Sequence, residues 1–282
     1  MAKKITIFHS PDVDDAFMFY GLVSGGVNVP GYQFDHDLCD IESLNHRALN
    51  GELDVTALSV HAFSGLNGQY AILKSGASMA GQNYGPRLVT KPENKECLQR
   101  NSITIAIPGW LTSAALAIQL YLKEKSIKAR LAPIFFEKII SAVQTGEFDA
   151  GLIIHEGQIT HQRDGLVTIL DLGEWWWKKH QLLLPLGVNV VHKRLGEEGM
   201  QAVGKALKDS IEYSLANRRN ALEYAISYGR GLDIQDADTF VGMYVNNMTR
   251  DMGETGMASI KHFLKEGFMA GITSTYIEPE FV

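Results

Sequence analysis

The chain has 282 residues, 45% of them hydrophobic and 21% charged, which is the composition of an ordinary globular protein of about two domains. A formal net charge of -6 without any dense basic cluster excludes an extended surface for nucleic acid. Its only cysteines, Cys39 and Cys97, are spaced for neither a disulfide framework nor a zinc site, which favours a reducing compartment.

The sequence predicts neither an export signal nor a membrane span. The apolar run near the N-terminus covers only Ile5–Phe8, which is too short for the core of a signal peptide. No apolar stretch reaches the roughly 18 residues that a transmembrane helix needs. We therefore expect a cytoplasmic protein with neither a membrane nor a nucleic acid as partner.

The first elements alternate between strand and helix. In chain order they are predicted at Lys4–Phe8, Asp12–Val23, Tyr32–Leu38 and Ile41–Leu49. The second of these begins with Asp12, Asp14 and Asp15, whose carboxylates suit the positive end of a helix dipole.

An internal repeat suggests how the chain is divided. Residues 41–59 and 139–154 each contain a helix, a glycine stop (Gly51 or Gly146), an acidic turn and a short apolar strand. A repeat of this length predicts two similarly built α/β lobes and excludes a short-period solenoid.

The segments between and after the two copies connect the lobes. Residues 75–86 are predicted as a loop, 87–90 as a strand leaving the first lobe and 91–100 as a crossover. A strand at 102–107 opens the second lobe, a helix capped by Thr112 or Ser113 follows, and a strand at 186–191 returns the chain to the first lobe.

From Leu195 onward the pattern is helical, with apolar stripes that we assign to the core. We therefore predict a two-lobed α/β fold with a ligand cleft between the lobes and a helical C-terminal tail packed on the first lobe. The predicted lobes are residues 1–92 with 190–282, and residues 93–189.

The strongest candidate for chemistry is His155, which with Glu156 follows the short apolar strand predicted at Ala150–Ile154. Ligands of open α/β sheets bind beyond the carboxyl ends of the strands, so an imidazole there is a candidate general base. A histidine satisfied within the core is an alternative of equal weight. His61 is a second candidate base, whereas His161 lies in a polar stretch and is expected to be exposed.

Three other segments are predicted to converge on the cleft. Ser10–Asp12 lies at the end of the first strand, and Thr56–Ser59 ends the repeated strand of the first lobe, which is predicted at Val55–Ser59. Thr112–Ser113 begins a helix, where free backbone N–H groups favour an anion such as a carboxylate. In each case a plain structural cap is the alternative. Trp175–Trp177 is assigned mainly to packing.

Motifs for phosphate loops, dinucleotides and metals are absent from the sequence, so neither a metal nor a cofactor is expected. The expected partner is a small-molecule carboxylate, and a homodimer is the other association considered.

Eight short motifs, spread over nearly the whole chain, together resemble one known family. They are Ser10-Pro11 with Asp15-Ala16-Phe17, Ser75-Gly76-Ala77, Gly85-Pro86, Ile107-Pro108-Gly109, Gly151–Glu156, Asp171–Trp176, Leu184–Gly187 and Tyr244-Val245-Asn246. This ordered set resembles the 1,4-dihydroxy-6-naphthoate synthases of the futalosine route to menaquinone.

The resemblance implies a fold like that of type II periplasmic binding proteins, used as a carbon–carbon lyase. The implied reaction converts cyclic dehypoxanthinylfutalosine to 1,4-dihydroxy-6-naphthoate and dihydroxyacetone. It implies His155 as the proton acceptor and substrate contacts at two segments, Ala57-Leu58-Ser59 and Thr112-Ser113.

The chain departs from the family pattern in two places. Family members often have Ser-Pro-Cys-Pro-Asn-Asp-Thr-Phe where residues 10–17 here read Ser-Pro-Asp-Val-Asp-Asp-Ala-Phe. A lysine can stand in the family where this chain has Ala57. If that lysine holds a carboxylate, backbone N–H groups or another side chain must do so here.

The working hypothesis assigns a role to each segment. His155 is the base, Thr112 and Ser113 hold the substrate carboxylate through their N–H groups, and Ser59 with Asp12 bonds sugar hydroxyls. Ser10 and Glu156 complete the predicted contacts. The alternatives are a chorismate dehydratase of the same pathway and a solute-binding protein for small carboxylates.

Overall fold

The computed structural model describes residues 2–229 and 231–282. Its strands, in chain order, are β1 (Lys3–His9), β2 (Tyr32–Leu38), β3 (Val55–Ser59), β4 (Tyr70–Ile72), β5 (Ser78–Ala80), β6 (Arg87–Thr90), β7 (Ile103–Ile107), β8 (Ala129–Pro133), β9 (Ala150–Ile153), β10 (Val167–Asp171) and β11 (Leu184–His192).

Its α-helices are α1 (Val13–Val23), α2 (Ile41–Leu49), α3 (Val60–Phe63), α4 (Ser113–Glu124), α5 (Ile139–Thr145), α6 (Gly157–Thr160), α7 (Leu172–His180), α8 (Gly196–Ala216), α9 (Arg218–Ala225), α10 (Ile234–Tyr244), α11 (Asn247–Arg250) and α12 (Gly253–Met269). Short 3₁₀ turns lie at Pro92–Asn94, Cys97–Gln99, Phe136–Lys138, Lys193–Leu195 and Ile226–Tyr228.

The strands form two sheets with the same internal order. The first runs β2-β1-β3-β11-β4, with β5 also paired to β11, and the second runs β10-β6-β9-β7-β8. In the first sheet β2, β1 and β3 run parallel, and β11 lies antiparallel beside β3. In the second sheet β8, β7 and β9 run parallel, and β6 lies antiparallel beside β9. The predicted repeat is thus confirmed as a repeat of topology, with β3 and β9 in matching places.

The glycine stop of each repeat has a backbone reason. Gly51 has φ +69° and Gly146 has φ +80°, a left-handed conformation that side chains with a Cβ rarely adopt. Each glycine lets the chain leave a helix and turn directly into a buried strand. The strands β3 and β9 are buried along their whole length, as their apolar runs predicted.

The C-terminal helices pack mainly against the first sheet and its helices. Gly21 of α1 lies so close to Ser210 of α8 that an added Cβ would be 2.8 Å from the Ser210 Cα. The Ser210 hydroxyl donates to the Met18 carbonyl over 2.7 Å. Leu207 and Ile211, from the predicted apolar stripe, are fully buried.

Two details of the connections differ from the sequence-based expectations. The stretch 75–86, predicted as a loop, contains β5, which pairs with β11. The strand at Arg87–Thr90 belongs to the second sheet, between β10 and β9, because its backbone finds partners there. The lobe limits of 1–92 with 190–282 and 93–189 stay a prediction. Judged by the sheet that each strand joins, the chain passes from the first lobe to the second between β5 and β6, at residues 81–86. It returns before β11, which begins at Leu184.

Within the described residues, no helix combines the length and the apolar character needed to span a bilayer.

Candidate active site

A cavity with an empty volume of ≈ 710 Å³, counted to its open mouth, lies between the two sheets. It is bordered by the carboxyl ends of parallel strands from both sheets, where ligands of open α/β sheets bind. Seven of the predicted site residues line it: Ser10, Asp12, Ala57, Leu58, Ser59, Thr112 and Ser113.

Ser59, at the end of β3, is held in place by Asn45 of α2. The Asn45 amide nitrogen donates to the Ser59 hydroxyl oxygen over 3.0 Å, and its amide oxygen accepts the Ser59 N–H over 2.9 Å. Because the hydroxyl oxygen accepts from Asn45, the Ser59 hydroxyl can still donate its own hydrogen toward the cavity.

The start of α4 forms the opposite wall. The Thr112 hydroxyl caps the helix by accepting the Ala115 N–H over 3.2 Å. The Ser113 hydroxyl is used between the lobes: it donates to the Leu186 carbonyl over 2.5 Å and accepts the His61 N–H over 3.2 Å. Since the first N–H groups of a helix have no intrahelical acceptor, those of Ser113 and Ala114 can serve an anionic ligand.

The start of α1 brings several carboxyl groups to the cavity. The Ser10 hydroxyl donates to Asp12 over 2.8 Å, and the Ser10 N–H donates to Asp15 over 3.0 Å. Burial, followed by the charge of Asp12, raises the pKa of Asp15 to about 7. Burial also raises the pKa of Asp14, and neighbouring carboxylates raise it further: Asp15, Asp12 and Glu156.

His155 and Glu156 lie just behind the cavity wall. The cavity is lined by Ile154, the residue before them, while His155 is 6% and Glu156 3% exposed. The His155 Nδ1 accepts the Gly157 N–H over 3.0 Å, and its ring meets the Phe136 ring edge-on at 5.5 Å. One Glu156 oxygen is 3.9 Å from the same Nδ1.

The other histidines considered in the sequence fall outside the cavity lining. His161, predicted to be exposed, is only 1% exposed, and both of its ring nitrogens have partners. The Nδ1 lies 3.0 Å from the Gly157 carbonyl, and the Nε2 lies 2.9 Å from the Thr168 hydroxyl. That prediction was wrong. His61 is also buried, with its Nδ1 3.2 Å from the Thr112 carbonyl, and burial lowers its pKa.

The tryptophan run packs away from the cavity, as predicted for most of it. Trp176 is fully buried and meets Phe263 of α12 edge-on at 5.2 Å. Trp175 meets Tyr121 of α4 at 5.5 Å. The Trp176 contact joins the second lobe to the C-terminal helices, and the Trp175 contact joins two helices of the second lobe.

Hydrogen bonds across the cleft hold the two lobes together. The Tyr244 hydroxyl donates to the Gln158 amide oxygen over 2.6 Å, connecting α10 with α6. The Leu111 N–H donates to the Glu42 carboxylate over 3.0 Å, connecting the loop before α4 with α2.

Sequence reasoning did not assign several residues that line the cavity. They include Asp14, Asp15, Gly76, Asn189 and Tyr244. One signal was present for Asn189: it is a polar residue within the apolar strand β11. Tyr244 stood out only as part of the motif Tyr244-Val245-Asn246, which gave it no role in the site. Helix α10 becomes part of the site only after the chain has returned to the first lobe.

Comparisons with known proteins agree with this architecture. The 1,4-dihydroxy-6-naphthoate synthase of Thermus thermophilus is 34% identical over 281 residues, which cover 99% of this chain and 100% of that protein. A crystal structure of a protein from Archaeoglobus fulgidus has a TM-score of 0.89 at 40% identity, covering 96% of this chain and 98% of that one.

A more distant likeness bears on the fold alone. The periplasmic aliphatic sulphonate binding protein of Escherichia coli has a TM-score of 0.69 at 9% identity, covering 99% of this chain and 91% of that one. The predicted two-lobed, binding-protein-like fold is confirmed. A family model described as menaquinone biosynthesis matches residues 5–268. These matches extend over nearly the full length of the chain and confirm the resemblance noted in the sequence. The chain therefore belongs to this menaquinone biosynthesis family.

Proposed function

We propose that the chain is a 1,4-dihydroxy-6-naphthoate synthase, a carbon–carbon lyase of menaquinone biosynthesis. Its substrate is cyclic dehypoxanthinylfutalosine, and its products are 1,4-dihydroxy-6-naphthoate and dihydroxyacetone. One observation carries the proposal: in a chain of this family, seven residues predicted to bind substrate line one cavity between the lobes. The full-length similarity to the enzyme of that name from Thermus thermophilus supports it.

The start of α4 binds the substrate carboxylate in this proposal. The N–H groups of Ser113 and Ala114 point out of the first turn, where the helix dipole favours an anion. Both residues line the cavity. The two hydroxyls, of Thr112 and Ser113, are engaged in the cap and in the contact between lobes, so the backbone rather than the side chains holds the anion.

Ser59 and the Ser10–Asp12 pair bind the hydroxyl groups of the substrate. Ser59 donates its hydroxyl hydrogen, because Asn45 already donates to its oxygen. The Asp12 carboxylate accepts from hydroxyl groups, and Ser10 fixes its position through the 2.8 Å hydrogen bond. Ala57 and Leu58 form the apolar wall between these groups. The Glu156 carboxylate, 3.9 Å from the His155 Nδ1, favours the charged imidazolium that forms when His155 takes a proton.

His155 is the general base in this proposal. Its Nδ1 accepts the Gly157 N–H, so in the neutral ring Nδ1 carries the lone pair. The ring must turn from Gly157 toward the cavity to take a proton from a substrate carbon. Imidazole suits this task because its pKa lies near neutral pH, and such acid–base help contributes about 10² to 10⁴ in rate. Aromatisation of the product then drives the ring-opening elimination.

The test is turnover by the purified protein, with cyclic dehypoxanthinylfutalosine and chorismate supplied separately. We expect 1,4-dihydroxy-6-naphthoate from the first and no reaction of the second. Dehydration of chorismate alone would overturn the proposal in favour of the sister activity. Tight binding of small carboxylates with no turnover of either compound would instead indicate a solute-binding protein.

A variant tests the base. We expect His155→Asn to keep its melting temperature and its affinity for substrate while kcat falls by roughly 10² or more. His46→Asn is the matched control, since the His46 side chain is 64% exposed. A His155→Asn enzyme with a rate near that of the wild type would contradict the assignment.

We propose a cytoplasmic location, which the two unpaired thiols, of Cys39 and Cys97, support because free cysteines persist in a reducing compartment. Cell fractionation tests it, and recovery from the membrane or an extracellular fraction would contradict it. The homodimer stays a prediction that sedimentation velocity can test.

A further inference from the structure

Asn189 is a buried polar residue in the cavity wall to which no role has been assigned so far. It lies in β11 between Val188 and Val190, is 1% exposed and lines the cavity. A polar side chain in the middle of an apolar strand loses its hydration on folding. It therefore needs hydrogen-bond partners in the protein or in a ligand.

A hydrogen bond to Gly76 fixes which way the Asn189 amide faces. The Asn189 Nδ2 donates to the Gly76 carbonyl over 3.0 Å. The opposite orientation would set two carbonyl oxygens against each other, since neither can donate. Gly76 permits this contact: it has φ +81°, and a Cβ there would lie 2.5 Å from the Asn189 Nδ2.

The amide oxygen is the atom left over. The Asn189 Oδ1 is buried, and none of the described residues donates a hydrogen bond to it. Because Gly76 fixes the nitrogen side, the oxygen cannot exchange places with it to find a partner. A buried acceptor that is held in place and unsatisfied is ready for a donor that arrives with a ligand.

The strand register places this oxygen among the proposed substrate contacts. Asn189 pairs directly with Ala57, and Gly187 pairs with Ser59 in the antiparallel pairing of β11 with β3. Residues directly opposite each other point to the same face of a sheet, as do residues two apart. Asn189 and Ser59 therefore share one face, where the Ala57 side chain is only a methyl group and leaves room for a ligand beside the amide.

We propose that the Asn189 Oδ1 accepts a hydrogen bond from a hydroxyl group of the substrate, making Asn189 a specificity-determining residue. This rests on the proposed function, which supplies a polyhydroxylated substrate. The chemistry is selective, because an amide oxygen only accepts. A hydroxyl at that place on the ligand satisfies the oxygen, whereas a hydrogen, an ether or a ketone leaves it unpaired.

The test compares the substrate with analogues in which one hydroxyl at a time is replaced by hydrogen. Dissociation constants are measured by calorimetry in the His155→Asn background, where turnover is slow. We expect one analogue to bind about tenfold or more weakly than the substrate, because the site then keeps an unpaired acceptor. With Asn189→Leu, which has a similar shape and no acceptor, the difference for that analogue should fall to within about twofold.

Asn189→Asp is the matched control. Both variants lose the donation to Gly76, but aspartate keeps an oxygen in place of the Oδ1, so the discrimination should persist. Melting temperatures report any structural damage separately. If the Leu variant does not fold, the series on Asn189 itself decides: equal affinity for the substrate and every analogue overturns the inference.

Discrimination that survives in Asn189→Leu would also overturn it. Failure of the proposed function looks different, since the wild-type protein would then neither bind nor convert the parent substrate, and both ideas would fall together.

Discussion

Replacing Asp15 by asparagine should make the protein more stable at neutral and alkaline pH. Asp15 lies at the start of α1, lines the cavity and accepts the Ser10 N–H over 3.0 Å. Asparagine keeps an oxygen for this hydrogen bond and removes a negative charge from beside Asp12. The substitution therefore isolates the electrostatic cost of the carboxylate.

The sign follows from the direction of the pKa shift. Burial and Asp12 raise the pKa of Asp15 from 3.8 to about 7, so the folded protein retains a proton that the unfolded chain releases. Stability is lost as the pH rises from about 4 through about 7, and the loss is complete above that range. The effect of Asp15→Asn should follow the same range and stay level above it.

The rise in the pKa of Asp15 from 3.8 to about 7 corresponds to a loss of about 4 kcal/mol in the free energy of unfolding. Because the neighbouring carboxyls share the titration, we expect about half of this, ~2 kcal/mol. For a chain of this size that is a rise in Tm of about 4–8 °C at pH ~8, with a much smaller rise at pH ~5.

Thermal unfolding of wild type and variant at several pH values is the assay. Asp209→Asn is the control, because Asp209 lies on the surface of α8 beside Lys205, and its effect should not follow this pH range. A Tm difference for Asp15→Asn that is zero, or that is the same at pH ~5 and pH ~8, would refute the reasoning.

Two further predictions concern packing, and both are measured by thermal unfolding. Trp176→Ala should lower the free energy of unfolding by about 3–5 kcal/mol, because Trp176 is fully buried. In the control Trp110→Ala, at a residue that is 45% exposed, the change should stay within about 0.5 kcal/mol. Equal effects of the two substitutions would contradict this. Gly173→Ala should cost about 2 kcal/mol or more, since its Cβ would lie 2.2 Å from the Tyr84 carbonyl oxygen. Gly204→Ala in α8, where the nearest atom is 3.8 Å away, should instead gain about 0.5–1 kcal/mol, and a loss there would be the contrary result.

Local patterns were sufficient for most elements and for one part of the site. The strand at Tyr32–Leu38, the helix at Ile41–Leu49 and the strand at Val55–Ser59 were predicted at their observed limits. Alternation, helical spacing and glycine stops are properties of neighbouring residues, so they can be read without the fold. Ser59 and Thr112 followed from the same logic, because each stands where a strand ends or a helix begins.

Residues with long-range partners could not be predicted in this way. His161 was expected to be exposed because its neighbours are polar, yet it is buried and its ring contacts Thr168 of β10, a strand that pairs with the distant β6. The strand at Arg87–Thr90 was recognised, but its sheet depends on which backbone is available beside it. His155 was placed correctly after a buried strand, while its position behind Ile154 depends on packing against Phe136.

The sequence by itself therefore determined most of the strands and helices, the repeated α/β unit, the family and the places where strands deliver polar residues. Tertiary structure alone decided which of those residues share one cavity, how the distant carboxyl of Glu156 comes to raise the pKa of Asp14, and why Asn189 keeps an unsatisfied oxygen. The physical reason is range. Backbone preference and hydrophobic period act over a few residues, whereas desolvation, charge coupling and hydrogen-bond satisfaction depend on atoms that are distant in the chain and adjacent only in the fold.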